Sequence, residues 1–336
     1  MKLDWKNLGF KYLPTHAFVQ SDYAEGKWSD PEKKSDPHFS LHIAANCLHY
    51  GQACFEGLKA FRTKDDRIVM FRPDRGAKRL IDSAKRICMQ APSEDLFIKV
   101  CKIAIRENLD FLPPYGTGAS LYIRPLLIGT QPVIGINPSE TYTFLVFVTP
   151  VGSCYKDGFF PVNVLVVDDF DRAAAQGTGQ TKVAGNYAAS LLPDQKAKKQ
   201  GYSIVLYTDP VEHKFIDELG TSNFFGITSA GEYKTPNSPS ILQSITNESL
   251  QVLAQEYSLK VIKGPIALEG LDQFTEVGAC GTAAVITPIY SITRGEKKWT
   301  FGKPDEAGET LKKLFEHFQG IRYGEREDKY GWLLEV

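Results

Sequence analysis

Strand and helix signals in the second half of this chain follow one another without a regular βαβ period. That order argues for an α+β fold and against a doubly wound parallel sheet. Short apolar runs at 162–167, 203–207, 260–262 and 283–289 read as strands. Helical patterns fall at 186–200, stopped by Gly201, and at 246–257 and 306–318. In the first half, an apolar run at 57–61, a charged turn at 64–67 and a second run at 68–71 read as a hairpin. Pro73 then opens a helix whose apolar face carries Leu80, Ile81, Ala84, Ile87 and Cys88. A second helix is expected over 94–108, followed by strands near 120–128 and 141–148.

A length of 336 residues is long for one hydrophobic core. The stretch PVGSCYKDGFF, between two strong strand signals, reads as a link between two domains. We therefore expect domains at 1–151 and 162–336, joined by a loop at 152–161. The formal net charge is −1, and no long basic run offers a nucleic-acid or membrane surface. Lys196, Lys198 and Lys199 close a helix, where a solvated basic end is ordinary. The six cysteines form no CxxC pair and match no zinc spacing, so free thiols, most of them buried, and a reducing compartment are expected, with no metal. The start MKLDWKNLGF has no apolar leader, and no apolar run is long enough to cross a bilayer, which points to the cytoplasm.

Several residues are candidates for chemistry. Lys182, in GTGQTKVAGNY, is the only basic residue between Arg172 and Lys196 and is flanked by glycines and small residues. A lysine that condenses with an aldehyde must shed its proton near neutral pH, and glycines let a flat ring approach the backbone. On this local pattern alone, an exposed loop lysine is the simpler reading. Tyr122 and Arg124 are two apart on an expected strand and so share a face, where a hydroxyl and a guanidinium fork can hold a carboxylate; an ion pair elsewhere fits equally well. Glu218, in FIDELGTSNFF, sits among apolar residues, and a buried carboxylate needs a partner such as a protonated ring nitrogen. Ser244-Ile245-Thr246 starts a helix, and Gly281-Thr282-Ala283 marks a tight turn; both can cradle an anion, and both can be simple caps or turns. GxxxxGK[ST], HExxH and GxSxG are all absent.

Taken together, the segments FEGLKAFR, FRPDRGAKR, SLYIRPLLIG, TKVAGNYA, DELGTSNFF and GACGTAAVITP resemble the branched-chain amino acid aminotransferases, in order and spacing, over nearly the whole chain. These are fold-type IV enzymes dependent on pyridoxal 5'-phosphate (PLP). The resemblance implies a smaller N-terminal α/β domain and a larger C-terminal, β-barrel-like domain with helices, the latter carrying the PLP lysine. It makes Lys182 that lysine, buried, titrating low and moving the proton of the substrate α-carbon. Arg79 would bind the cofactor phosphate, with Thr221, Thr282 and backbone groups at Ile245 and Thr246. Tyr187 would bond the ring hydroxyl and Glu218 the ring nitrogen. Tyr122, Arg124 and Ala283 would lie on the substrate side. Phe55 would wall the side-chain pocket, and the N-terminal aromatic wall is assigned to Tyr12. Tyr50, Ile134 and Ile136 match positions supplied by a second subunit, which implies a homodimer.

The implied reaction is a ping-pong exchange. A branched-chain L-amino acid leaves as its 2-oxo acid, and 2-oxoglutarate then leaves as glutamate. Ala284 and Thr287 stand where some relatives carry a CxxC pair, so a redox switch there is not expected. Cys154 stands where an aromatic residue is common, with Tyr155 one step on. D-amino acid aminotransferases and aminodeoxychorismate lyases share the lysine, glutamate and phosphate cradle, and a non-catalytic PLP-binding scaffold is the reading outside enzymology. FEGLKAFR and SLYIRP favour the branched-chain type.

Overall fold

A computed structural model describes residues 3–5, 7–154 and 158–336. Contacts divide the chain into two units, Met1–Lys156 with Thr181–Gly185 and Gly320–Val336, and Asp157–Gln180 with Asn186–Gln319. The first unit thus takes in two segments that the sequence assigns to the second domain, the lysine segment among them. Backbone pairing explains both. Val183 bridges Cys54, and the strand Leu333–Glu335 pairs with 68–71.

The first unit is built on an antiparallel sheet. Its strands are β1 (Phe18–Ala24), β2 (Lys27–Trp28), β3 (Glu32–Lys34), β4 (Ala53–Phe55), β5 (Leu58–Arg62), β6 (Ile68–Phe71), β7 (Ser120–Gly129) and β8 (Tyr142–Val151). The sheet runs from Leu333–Glu335 through β6, β5, β7, β8 and β1 to β2, with β3 on β1 and β4 on β7. The β7–β8 ladder keeps register over its whole length, from Ser120 opposite Val151 to Gly129 opposite Tyr142. Three helices accompany the sheet: α1 (Asn46–Tyr50), α2 (Pro73–Arg86) and α3 (Glu94–Arg106). Proline opens α2 after Arg72, which takes a left-handed conformation. Ser93 caps α3 by accepting from the Leu96 N–H, and Glu94 and Asp95 complement the positive end of its dipole. Leu80, Ala84, Phe97, Val100 and Ala104 pack with Leu58, Leu121, Ile123 and Phe144 in one buried cluster. The short α1, absent from the sequence reading, turns Tyr50 into a helical residue ahead of the hairpin.

The second unit contains β9 (Val162–Val166), α4 (Ala184–Lys199, its first two residues counted with the first unit), β10 (Ile204–Thr208), β11 (Ile216–Leu219), β12 (Ser222–Thr228), β13 (Glu232–Thr235), α5 (Ile245–Glu256), β14 (Lys260–Lys263), β15 (Phe274–Gly281), β16 (Val285–Arg294), β17 (Lys297–Thr300) and α6 (Glu309–Arg322, whose last three residues cluster with the first unit). Six strands close on themselves in the order β11-β10-β9-β16-β15-β12, because β11 also pairs with β12. This is the expected barrel. Its core holds Val164, Leu206, Leu219, Phe224, Val277, Ile289 and Ile292. β13 and β14 extend the sheet from β12, and β17 pairs with β16. Only β9 is paired in parallel within the ring, to β10 and to β16. Closure leaves no free strand edge in the ring.

All six cysteines are free, as expected, but only Cys54, Cys101 and Cys280 are buried. Cys88 and Cys154 are exposed and Cys47 is intermediate, so burial reaches half of the thiols rather than most. Neither exposed cysteine sits inside a strand or helix that would carry it into a core. Among the described residues no helix is long and apolar enough to cross a membrane, and no cluster of side chains could hold a metal.

Candidate active site

In the first unit the lysine segment lies beside β4. The Phe55 N–H donates to the Lys182 carbonyl at 3.1 Å, and the Lys182 N–H donates to Ser83 Oγ at 2.9 Å. Ser83 belongs to α2, so a strand and a helix together hold the lysine backbone. Lys182 is half-buried rather than buried, and its Nζ stands 4.9 Å from the centre of the Phe55 ring. The Arg124 guanidinium approaches the same ring at 4.8 Å, and its Nη2 donates to the Tyr122 hydroxyl at 2.9 Å. Strand parity therefore does bring Tyr122 and Arg124 to one face, and that face meets Phe55. Gly57 completes the arrangement. A Cβ there would overlap the Tyr122 hydroxyl, so only glycine leaves room for the phenol.

Two placements add to the sequence reading. Phe10, not Tyr12, lies edge-on to Tyr122, at 5.2 Å between ring centres, whereas Tyr12 packs on Phe147. The two residues have the same parity, so nothing in the sequence separates them; hydrogen bonds from Leu13 and Gly152 that lay the N-terminal segment along β8 decide it. Arg79 is joined to Glu56 through Nε and Nη2, both at 2.7 Å, and Glu56 is fully buried. The sequence reading gave Glu56 no role. Its signal, a carboxylate inside the apolar run CFEGL, was present.

Tyr50, Ile134 and Ile136 are all exposed, and the Tyr50 hydroxyl donates to the Ile134 carbonyl. Tyr155 lies outside the described residues.

In the second unit Glu218, the Thr221 and Thr282 turns and the start of α5 gather at one end of the barrel. Glu218 accepts from the Leu242 N–H at 3.1 Å and Asn223 Nδ2 at 2.8 Å, and is ion-paired with Arg172 Nη2 at 2.7 Å. Burial pushes its carboxyl up from an ordinary 4.5 to about 7, with Arg172 and the two N–H donors pulling the other way and Asp217 adding to the rise. Asn223 sits opposite Cys280 in the β12–β15 ladder, which sets the Thr221 turn beside the Gly281-Thr282 turn. Asn223 also donates to the Leu242 carbonyl, tying this region to the start of α5. There Ser244 Oγ accepts from the Asn247 N–H, and the first turn of α5 contains Ile245 and Thr246. Val285, at the far end of the Thr282-Ala283 turn, has φ 69°, a conformation that costs a β-branched residue on the order of 1–3 kcal/mol. Tyr187 lies half-buried in the first turns of α4, and Asn186 beside it is bonded to Thr178.

This donor set fits the cofactor implied by the sequence. Two threonine turns and a helix start, with its N–H groups and positive dipole end, suit a phosphate. The buried Glu218 carboxyl, poised near neutrality, suits a ring nitrogen that brings a proton and a positive charge. Arg172, which makes the shortest contact to Glu218, was missed in the sequence, where it served only to mark the flank of Lys182.

The chain matches the family model for amino-transferase class IV over residues 53–292. It is 44% identical over 340 residues to a branched-chain-amino-acid aminotransferase of Haemophilus influenzae, covering 99% of both chains. Among solved structures it resembles the branched-chain amino acid aminotransferase of Escherichia coli, with 28% identity, a TM-score of 0.78, and 95% of this chain and 98% of that one covered. It also has the fold of the T.th. branched-chain amino acid aminotransferase solved with pyridoxamine 5'-phosphate, at 24% identity and a TM-score of 0.81, over 96% of this chain and 99% of that one.

Proposed function

The chain belongs to amino-transferase class IV, among the branched-chain-amino-acid aminotransferases, and we propose on that footing how its residues divide the work. It transaminates branched-chain amino acids and uses PLP. The observation that carries the reading is the barrel end, where Glu218, the Thr221 and Thr282 turns and the start of α5 converge.

Lys182 would hold the cofactor through Nζ. When bound, PLP supplies a positively charged ring that accepts the electron pair left on the substrate α-carbon. Glu218, as a carboxylate, keeps the ring nitrogen protonated. Thr221, Thr282 and the N–H groups of Ile245 and Thr246 bind the phosphate, with Arg79 contributing charge. Tyr187 would bond the ring hydroxyl. With Nζ free, the Lys182 amine would take the proton from the substrate α-carbon and later return one. Arg124 and Tyr122 would orient the substrate carboxylate, and Ala283 would lie on the substrate side. Phe55 walls the apolar pocket, and Phe10 joins it through Tyr122. 2-Oxoglutarate is the amino acceptor.

The smaller domain at 1–151 and the larger one at 162–336 are the proposed working halves, joined by 152–161. We place the enzyme in the cytoplasm as a homodimer in which Tyr50, Ile134 and Ile136 serve the partner's site. Support comes from their exposure and from the hydrogen bond that joins Tyr50 to Ile134.

Purified protein should exchange L-leucine with 2-oxoglutarate rapidly and leave D-alanine untouched. Rapid D-alanine turnover would replace this reading with a D-amino acid aminotransferase.

A further inference from the structure

Arg172 is buried; its Nη2 donates to the Gly179 carbonyl at 2.8 Å and to the Ser240 carbonyl, and it forms an ion pair with Glu218 Oε1 at 2.7 Å. These belong to three separate pieces of chain. Glu218 is on β11. Gly179 lies three residues ahead of Lys182. Ser240 precedes Leu242, which bonds Glu218, and the Ser244–Thr246 start of α5. Gly179 and Ser240 press backbone to backbone, so closely that a Cβ on Gly179 would overlap the Ser240 carbonyl. Asp217, on the opposite face of β11 from Glu218, accepts from Ser238 Oγ at 2.8 Å and from Ser240 Oγ. The Ser240 segment is therefore held from both faces of one strand, by Asp217 directly and by Glu218 through Arg172.

We propose that Arg172 is a positioning residue whose guanidinium binds Glu218, the approach to the PLP lysine and the approach to the phosphate cradle into one frame. It touches neither ring nor substrate and acts through Glu218. The proposal rests on the PLP reading given above. A guanidinium suits the task, because it stays charged when buried and holds its N–H groups in one fixed plane, whereas a lysine head sheds its proton readily on burial.

The charge matters as well as the geometry. Glu218 is faced by Arg172, by Asp217 on its own strand, by Asn223 from β12 and by Cys280 from β15. Arg172 is in turn faced by Tyr207 from β10, which Asp194 of α4 also faces. Arg172 is the only cation among them. Without it, burial and Asp217 act on Glu218 unopposed by any positive charge. The carboxyl then takes up a proton at higher pH and no longer pairs with a protonated ring.

The test strips the wild type, Arg172→Gln, Arg172→Lys, Glu218→Gln and the double variant of cofactor, and titrates each with PLP. Uptake is read from visible absorbance between about pH 6 and about pH 9. Arg172→Gln should bind on the order of 10–100-fold more weakly near neutrality, and the deficit should shrink toward the alkaline end, where Glu218 ionises unaided. Arg172→Lys should restore most of the pH dependence and only part of the affinity. In the Glu218→Gln background, Arg172→Gln should produce no pH-dependent deficit. A deficit of equal size at every pH, or one that persists with the same pH dependence in the Glu218→Gln background, overturns the proposal. If Arg172→Gln does not fold, as judged by circular dichroism, Arg172→Lys carries the same comparison against Glu218→Gln. Failure of the wild type to take up PLP would sink the functional reading instead.

Discussion

Lys59 shows why a shifted lysine is not by itself a guide to chemistry. Lys59 lies on β5 opposite Tyr122, and burial, helped by the nearby Arg322 guanidinium, pushes its ammonium down to about 7. A perturbed lysine is a fair pointer to chemistry, yet Lys59 is shut inside a sheet, whereas half-buried Lys182 faces an aromatic ring. We expect Lys182→Ala to abolish turnover and the visible absorption band, and Lys59→Met to keep the band. Lys59 should instead leave its mark on stability. Its folded-state value lies below its unfolded one, so between about pH 7 and about pH 10 the unfolded chain binds more protons, and stability contributed at this position rises with pH. Urea unfolding across that window should show this rise in the wild type, and the rise should flatten in Lys59→Met. Lys182, Glu218, Tyr122 and Arg124 stood out as candidates in the sequence, but local composition left each ambiguous. It was the likeness of their segments, taken together, to one family that gave them roles. Arg172 and Glu56 did not stand out, because their meaning lies in partners far off in the chain. Phe10 and Tyr12 share parity and chemistry, and only the path of the backbone separates them.

At the scale of elements, periodicity found the long pieces and missed the short ones. The apolar faces of α2 and α3 and the run of β7 announce themselves, whereas α1 has too few residues to repeat an amphipathic pattern. The start of α6 depends on a tertiary partner. The expected helix over 306–318 begins instead at Glu309, where β15 supplies its cap: Glu276 accepts from the Thr310 and Leu311 N–H groups at 3.1 and 2.9 Å. A cap from another element leaves no trace next to the helix in sequence. Glu276→Ala should cost about 1–2 kcal/mol, read as a lower urea midpoint with an unchanged slope. An unchanged midpoint would show that solvent caps α6 equally well.

For the molecule as a whole, the absence of a βαβ rhythm did separate this chain from doubly wound folds, but it could not foretell barrel closure. Closure depends on the β11–β12 pairing, two short strands around the Thr221 turn. Assembly also belongs to this scale. Ile43, Leu48, Tyr50, Ile134 and Ile136 are all exposed in the first unit, and the segments carrying them are joined by hydrogen bonds from Asn46 and Val133. Exposed apolar clusters of this kind mark interfaces. Sedimentation should find a dimer in the wild type, and Ile134→Asp with Ile136→Asp should yield a folded monomer with little activity. A variant that stays dimeric would move the interface elsewhere.

The strand at 333–335 adds a matter of timing. It covers the outer edge of β6, and Trp332 packs on Phe71 and Arg72. During synthesis, β6 leaves the ribosome early, while its partner emerges only after the barrel has been made. Throughout that interval the nascent chain displays a bare strand edge, the surface most prone to pairing with a neighbour on the same messenger. Translation that stalls or stops just short of Trp332 should therefore yield a product with an intact barrel that nevertheless clumps.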